Sequence, residues 1–194
     1  MTQIENARQG IVTEEMKKAA LSEGVSADFI RDGVARGNIA ICRNKKHNIE
    51  PLAIGRGLRT KVNANIGTSG DSSDLSGELE KLRVAVKAGA DAVMDLSTGG
   101  SLDDIRKEII KQSPVTIGTV PIYSAVVELN QRGKTFIDMT SDDLFKAIEK
   151  HAEDGVDFIT VHCGVTRSSI ERLDNEGRLM DIVSRGGSMT AAWM

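Results

Sequence analysis

The sequence predicts an α/β protein in which parallel strands alternate with crossover helices, and three observations carry that expectation. From Thr60 onward, short apolar runs alternate with segments of helical periodicity. The connections between runs are too long for hairpins and long enough for a helix that returns the chain to the start of a neighbouring parallel strand. Finally, GADAVMDL (89–96) and GVDFITVH (155–162) share one pattern: glycine, an apolar residue, aspartate, a variable residue and then a strand. Glycine ends the preceding helix and aspartate braces the turn before the chain enters the core, as serial βα units do. A Rossmann reading is disfavoured because no G-x-G-x-x-G follows the first strand.

The elements follow in order. EEMKKAALSEG (14–24) is an amphipathic helix closed by Gly24, and Ser26 reads as the N-cap of a second helix that ends near Gly37. The stretch 38–60 is rich in turns, with one short apolar piece at Ile39–Ile41. Residues 1–60 are therefore expected to form a small helical appendage. TKVNANIG (60–67) is the first strand. The helix of 73–89 places Leu75, Leu79, Leu82 and Val86 on one side, and GADAVMDLSTGG (89–100) is the second strand. Ser101 and Asp104 form a weak capping box for the next helix. PVTIGTVPIY (114–123) is the third strand, with a helix expected over 124–131. Thr140 introduces a helix over 142–155 with Leu144, Ile148 and Ala152 along its stripe. GVDFITVHCG (155–164) and LMDIVSRGG (179–187) are expected as the fourth and fifth strands.

Bulk composition narrows the function classes. A net charge of −3 gives no attraction toward nucleic acid or anionic membrane, and 3% aromatic residues leave little to stack on bases. No apolar run approaches the ~20 residues of a membrane span. MTQIENARQG lacks the basic start and apolar core of a signal peptide. Cys42 and Cys163 stand far apart, without a CxxC, and form neither a disulfide framework nor a metal site on their own. The expectation is a reduced, cytoplasmic protein.

Chemistry is concentrated where strands end. The first closes on Asn63 and Asn65, the second on Met94, Asp95 and Ser97, the third on Tyr123. The fourth closes on His162 and Cys163, and the fifth on Ser184 and Arg185 followed by two glycines. Glycine beside a polar group lets backbone N–H groups approach a ligand, and Ser184, Arg185, Gly186 and Gly187 together suit a phosphate. Each residue alone has a plainer reading. A histidine after a strand is more often a satisfied structural residue, Tyr123 would pack, and Met94 and Cys163 would fill core. His47, in the basic turn RNKKHN, reads as solvated, and His151 as a helix boundary residue. Pattern alone supports a βα-repeat enzyme with a phosphate-bearing ligand.

ARQGIVTEEM, TKVNANIGTS, AGADAVMDLSTGG, SPVTIGTVPIY, DGVDFITVHCGVT and IVSRGGS occur in this order along nearly the whole chain. In these strings it resembles the phosphomethylpyrimidine synthase (ThiC) family of thiamine biosynthesis, most closely the short form of archaea and anaerobic bacteria. The resemblance implies a (β/α)8 TIM-type barrel, with about five βα units in residues 61–194 as its substrate-binding half. It also implies a radical S-adenosylmethionine enzyme in which a [4Fe–4S] cluster cleaves the cofactor. The adenosyl radical then rearranges aminoimidazole ribonucleotide into hydroxymethylpyrimidine phosphate. By motif, the implied substrate contacts are Asn65, Met94, Tyr123, His162, Ser184, Arg185 and Gly186; no catalytic residue is implied. Full-length members are expected to be homodimers and to bind zinc, and the ligands of zinc and cluster lie outside the motifs found here.

Departures from the family pattern set further expectations. The chain stops at SRGGSMTAAWM, in the helix after the fifth strand. Five strands cannot close an eight-stranded barrel, so a strand edge and apolar surface should be exposed and the piece alone inactive. Cys42 stands where the synthase is expected to have proline, and Cys163 where alanine or serine is usual. Both leave open a paralogue, the 5-hydroxybenzimidazole synthase of anaerobic cobamide biosynthesis, which acts on the same substrate. A non-catalytic half-barrel assembly module is the reading from another class.

Overall fold

The computed structural model describes residues 1–194. Three helices open the chain: α1 (Gln3–Arg8), α2 (Glu14–Glu23) and α3 (Ala27–Ala35). Helix α1 was not expected, although its signal is visible: Thr2 and Glu5 form a capping box, with Thr2 N–H donating to Glu5 Oε2 at 2.6 Å. Gly24 closes α2 in the left-handed conformation and Ser26 caps α3, as anticipated. The apolar piece at Ile39 is strand β1 (Ile39–Cys42), which pairs antiparallel with an unexpected β2 (Leu52–Gly55). Met16, Ala19, Ile30, Val34, Ile39 and Ala53 form the buried cluster between these elements.

The second sheet is parallel, in the order β3 (Asn63–Ile66), β4 (Ala92–Asp95), β5 (Thr116–Thr119), β6 (Phe158–Ile159). Its crossovers are α4 (Leu75–Lys87), α5 (Leu102–Gln112), and the pair α6 (Pro121–Gln131) and α7 (Ser141–Asp154). Pairing register puts Asn65, Met94, Gly118 and Phe158 in one row, and Ile66, Asp95, Thr119 and Ile159 in the next, facing the other side. The helices cover that other side, where Ile66, Val93 and Ile117 pack with Leu82, Ile105 and Ile109 in one cluster. Full burial of each such side chain is worth about 1.5–3 kcal/mol. Asn63 and Asn65 therefore stand on the face away from this core and are exposed.

Several expectations are corrected. No fifth strand forms at 179–187: Asp181 has φ 52°, which breaks the extended backbone, and Leu179 and Val183 are 96% and 65% exposed. The LMDIV run has strand composition but no ladder partner. The fourth strand shortens to Phe158–Ile159, so His162 lies in the loop beyond it. Helix α6 begins at Pro121, where a missing N–H costs nothing, and this takes Tyr123 out of the strand. Two further helices, α8 (Arg167–Glu176) and α9 (Arg185–Trp193), follow the sheet, and α8 was not expected. Ser101 bonds the Asp104 carboxylate at 2.5 Å instead of capping backbone, and Asp74 caps α4. On α7 the inward stripe is Ala147 and His151, while Ala152 is exposed.

Both histidines read as peripheral are buried. His151 accepts at Nε2 from Ser124 Oγ (2.9 Å) and Arg106 (3.2 Å), which leaves its Nδ1–H for Thr119 Oγ1 at 2.8 Å. Burial and the neighbouring guanidinium lower its pKa to about 3, so the ring is neutral. Arg106 continues to Asp154 at 2.5 Å and Asp103 at 2.7 Å, tying α5, α6 and α7 to the end of β5. His47 meets Asp157 Oδ2 through Nδ1 at 2.7 Å. Its loop is docked, with Asn44 Nδ2 donating to Ala152 O and Lys46 Nζ to Glu153 O, both at 2.7 Å. These are carbonyls of the last turn of α7, the end of a helix that attracts donors and cations.

Candidate functional site

The loops after β3 and β4 are zipped together beyond the ends of their strands. Leu96 N–H donates to Ile66 O at 2.8 Å and Thr98 N–H to Thr68 O at 2.9 Å, continuing the parallel ladder. Thr68 Oγ1 donates to Gly99 O at 2.6 Å. Any side chain at Gly99 would strike the Ser69 carbonyl, so only glycine permits this approach. Beneath, Ser97 Oγ accepts from Thr68 N–H at 3.0 Å and donates to Asp95 Oδ1 at 2.5 Å. Burial pushes the Asp95 carboxyl upward, and the Ser97 hydrogen bonds oppose that only in part.

This zipped platform is one wall of a cleft of about 510 Å³. Asn65, Thr68, Ser69 and Thr98 line it with Lys81 from α4, Tyr123 from α6 and Arg185 from α9. The lining has two cations and no carboxylate. The Arg185 guanidinium lies 5.6 Å from the centre of the Tyr123 ring, close enough for a cation–π contact. Such a cavity suits a small anionic ligand with a polar body.

Of the seven expected site residues, Asn65, Tyr123 and Arg185 share the cleft. Met94 pairs with Asn65 in the sheet, and its sulfur accepts from Thr160 Oγ1 at 3.8 Å. His162, Ser184 and Gly186 form a separate knot. His162 Nε2 and Ser184 Oγ are 3.0 Å apart, and Ser184 Oγ also accepts Gly187 N–H at 3.3 Å as the N-cap of α9. The imidazole lies directly on Gly186, where a Cβ would overlap the ring. His162 thus faces a second, mostly apolar groove with Ile122, Leu144 and Trp193, and meets the cleft only through the start of α9. Cys163 is exposed, not core filler. All seven lie on the carboxyl side of the parallel strands. Lys81, Thr68 and Thr98 were not foreseen; the glycine-rich NIGTSG and DLSTGG loops signalled the threonines, and nothing local signalled the lysine.

A four-stranded parallel sheet with crossover helices defines an α/β protein, and its cation-lined cleft lies at the edge where such sheets commonly bind ligands. Residues 2–194 match the radical SAM ThiC family, and the chain belongs to that family. It is 64% identical to the phosphomethylpyrimidine synthase of Geobacter metallireducens over 195 aligned residues, covering all of this chain and 45% of that protein. It is 58% identical to phosphomethylpyrimidine synthase 2 of Syntrophotalea carbinolica and 52% identical to the phosphomethylpyrimidine synthase of Pyrococcus furiosus, in each case over the whole chain and 46% of the relative. The chain thus spans about half the length of these relatives.

The family name implies an iron–sulfur cluster and S-adenosylmethionine in the full-length protein. The residues present do not fit a metal centre. No three His, Cys, Asp or Glu side chains come together, and the two free cysteines lie apart, on β1 and beyond β6. No helix is long and apolar enough to cross a membrane.

Proposed function

We propose that the chain is the substrate-holding part of a cytoplasmic phosphomethylpyrimidine synthase acting on aminoimidazole ribonucleotide, with residues 61–194 as half of a β/α barrel and residues 1–60 as its appendage. One observation carries the reading: the cleft joins two cations, Lys81 and Arg185, to the neutral polar groups of Asn65 and Tyr123, with no carboxylate in its lining. The division at residue 60 is supported by cores that do not mix: one cluster lies before residue 60 and the other two after it. The names of the relatives favour the pyrimidine over the benzimidazole product. In this reading Asn65 addresses the aminoimidazole ring, Arg185 the phosphate, and the knot of His162 and Ser184 fixes the start of α9 that carries Arg185. Orientation of this kind is what a radical rearrangement asks of its binding site. The cluster, the cofactor, zinc and a homodimeric partner belong to the full-length enzyme, so product formation is not expected from these residues alone.

Calorimetric titration of the 194-residue chain with aminoimidazole ribonucleotide and with ribose 5-phosphate tests this. Tighter binding of the ribonucleotide is expected. Equal binding of both would reduce the site to a generic sugar-phosphate cleft.

A further inference from the structure

We propose that Lys81 is a second anion-binding residue of the cleft, presented by the buried carboxylate of Glu78, and that it shares the ligand phosphate with Arg185. The proposal rests on the reading of the cleft as a ribonucleotide site and assigns a residue within it.

Glu78 and Lys81 sit one turn apart on α4. The Glu78 side chain is 3% exposed and that of Lys81 53%. Glu78 Oε1 accepts from Lys81 Nζ at 2.5 Å, whereas the buried Oε2 has no hydrogen-bond partner. An ordinary i,i+3 surface pair needs no such burial, and burying a carboxylate with one oxygen unsatisfied is costly to the fold. What the arrangement achieves is position. Lys81 Nζ donates also to Gly67 O at 3.4 Å, so two of its three donors are anchored beside the loop that forms the cleft wall. A long, flexible side chain is thereby held at the cleft with one donor left over. Because the lining contains no carboxylate, the ammonium and the Arg185 guanidinium are the two charges available to a phosphate.

The test is calorimetric titration of the 194-residue chain with aminoimidazole ribonucleotide and with its dephosphorylated nucleoside. Lys81→Met is expected to weaken ribonucleotide binding about tenfold, in line with loss of a charge-assisted hydrogen bond, and to leave nucleoside binding unchanged. Lys81→Arg should recover most of the loss. Lys81→Gln gives the same reading should Lys81→Met be unstable. Glu78→Gln should weaken the ribonucleotide in the wild-type background and have no further effect beside Lys81→Met; a purely structural role would lower both. Wild-type preference for the ribonucleotide, undiminished in Lys81→Met, overturns the Lys81 assignment alone. Absence of any such preference in the wild-type chain overturns the reading of the cleft and this assignment with it.

Discussion

Two helix-to-strand turns in this molecule carry one sequence pattern and are braced to very different degrees. After α4, Asp91 donates its N–H to Val62 O at 2.8 Å and accepts Val62 N–H on Oδ2 at 2.7 Å. After α7, Asp157 does the same with Ile117, at 2.9 and 2.7 Å. In both, a glycine-x-aspartate turn closes a two-bond ring onto the neighbouring strand. The rings differ in what surrounds them. The other Asp91 oxygen meets Arg59, 58% exposed, at 2.6 Å. The Asp157 side chain has no exposure and also takes Asn44 N–H and His47 at 2.7 Å each. The shared motif sets the geometry of the turn, and the docking of loop 43–47 turns one copy into an interlock between the appendage and the sheet.

The sharpest way to break the comparison is at the sealed turn. Asp157→Ala leaves the N–H groups of Asn44 and Ile117 and the His47 ring without their acceptor, all in a dry site. A loss of about 3–5 kcal/mol of unfolding free energy is expected, the range for removing one partner of a buried charged pair. Urea titration followed by circular dichroism measures it. A loss below about 1 kcal/mol, the scale of one exposed hydrogen bond, would show that backbone contacts hold the turn by themselves.

His47 makes the same turn sensitive to pH from its alkaline side, whereas the Asp91 carboxyl, lowered by its hydrogen bond from Arg59, loses its contribution only as pH falls into the carboxylate range. Burial opposes the charged ring, but the hydrogen bond and charge of Asp157 outweigh it, and the pKa of His47 is raised in the folded protein. A raised pKa means the stabilisation is complete below the unfolded value of about 6.5 and is lost as pH rises through the folded value. His47→Gln should cost about 2 kcal/mol at pH 5.5, as expected for a buried hydrogen bond to a charged group, and progressively less toward pH 9. Comparing wild type with this variant at each pH cancels His151, whose buried neutral ring acts in the opposite sense by destabilising the fold as pH falls. A difference that stays flat with pH would show that His47 is neutral throughout.

How much of this could be read beforehand follows from the range of the interactions. The alternation of strand and helix, the caps at Gly24, Ser26 and Thr140, and the bracing aspartates are local, and each was legible. The cleft lies near strand ends that the sequence marked out, and Asn65 and Arg185 line it. The interlock was not legible: Asn44 N–H and Asp157 are 113 positions apart, and RNKKHN viewed alone is a solvated basic turn. Tyr123 was displaced by one local fact, Pro121 starting a helix, that competed with the apolar run before it. LMDIV failed as a strand because a strand also needs a partner, and composition cannot show one. Lys81 escaped notice because a Glu-x-x-Lys pair on a helix is ordinary in sequence, and only burial of the glutamate distinguishes this one.

The exposed turn supplies the smallest effects and the closest control. Asp91→Ala removes the hydrogen bond from Val62 N–H together with the exposed Arg59 ion pair, and is expected to cost about 1 kcal/mol, well below its counterpart, because water replaces part of what is lost. Arg59→Ala should cost less still, and its effect should vanish at high salt, since the guanidinium is mostly in solvent and a surface ion pair is screened there. Unfolding of both variants at low and high ionic strength separates the two contributions. If Arg59→Ala matched Asp91→Ala at every salt concentration, the ion pair and not the ring onto Val62 would hold the turn. The likeness between the two turns would then be one of sequence only.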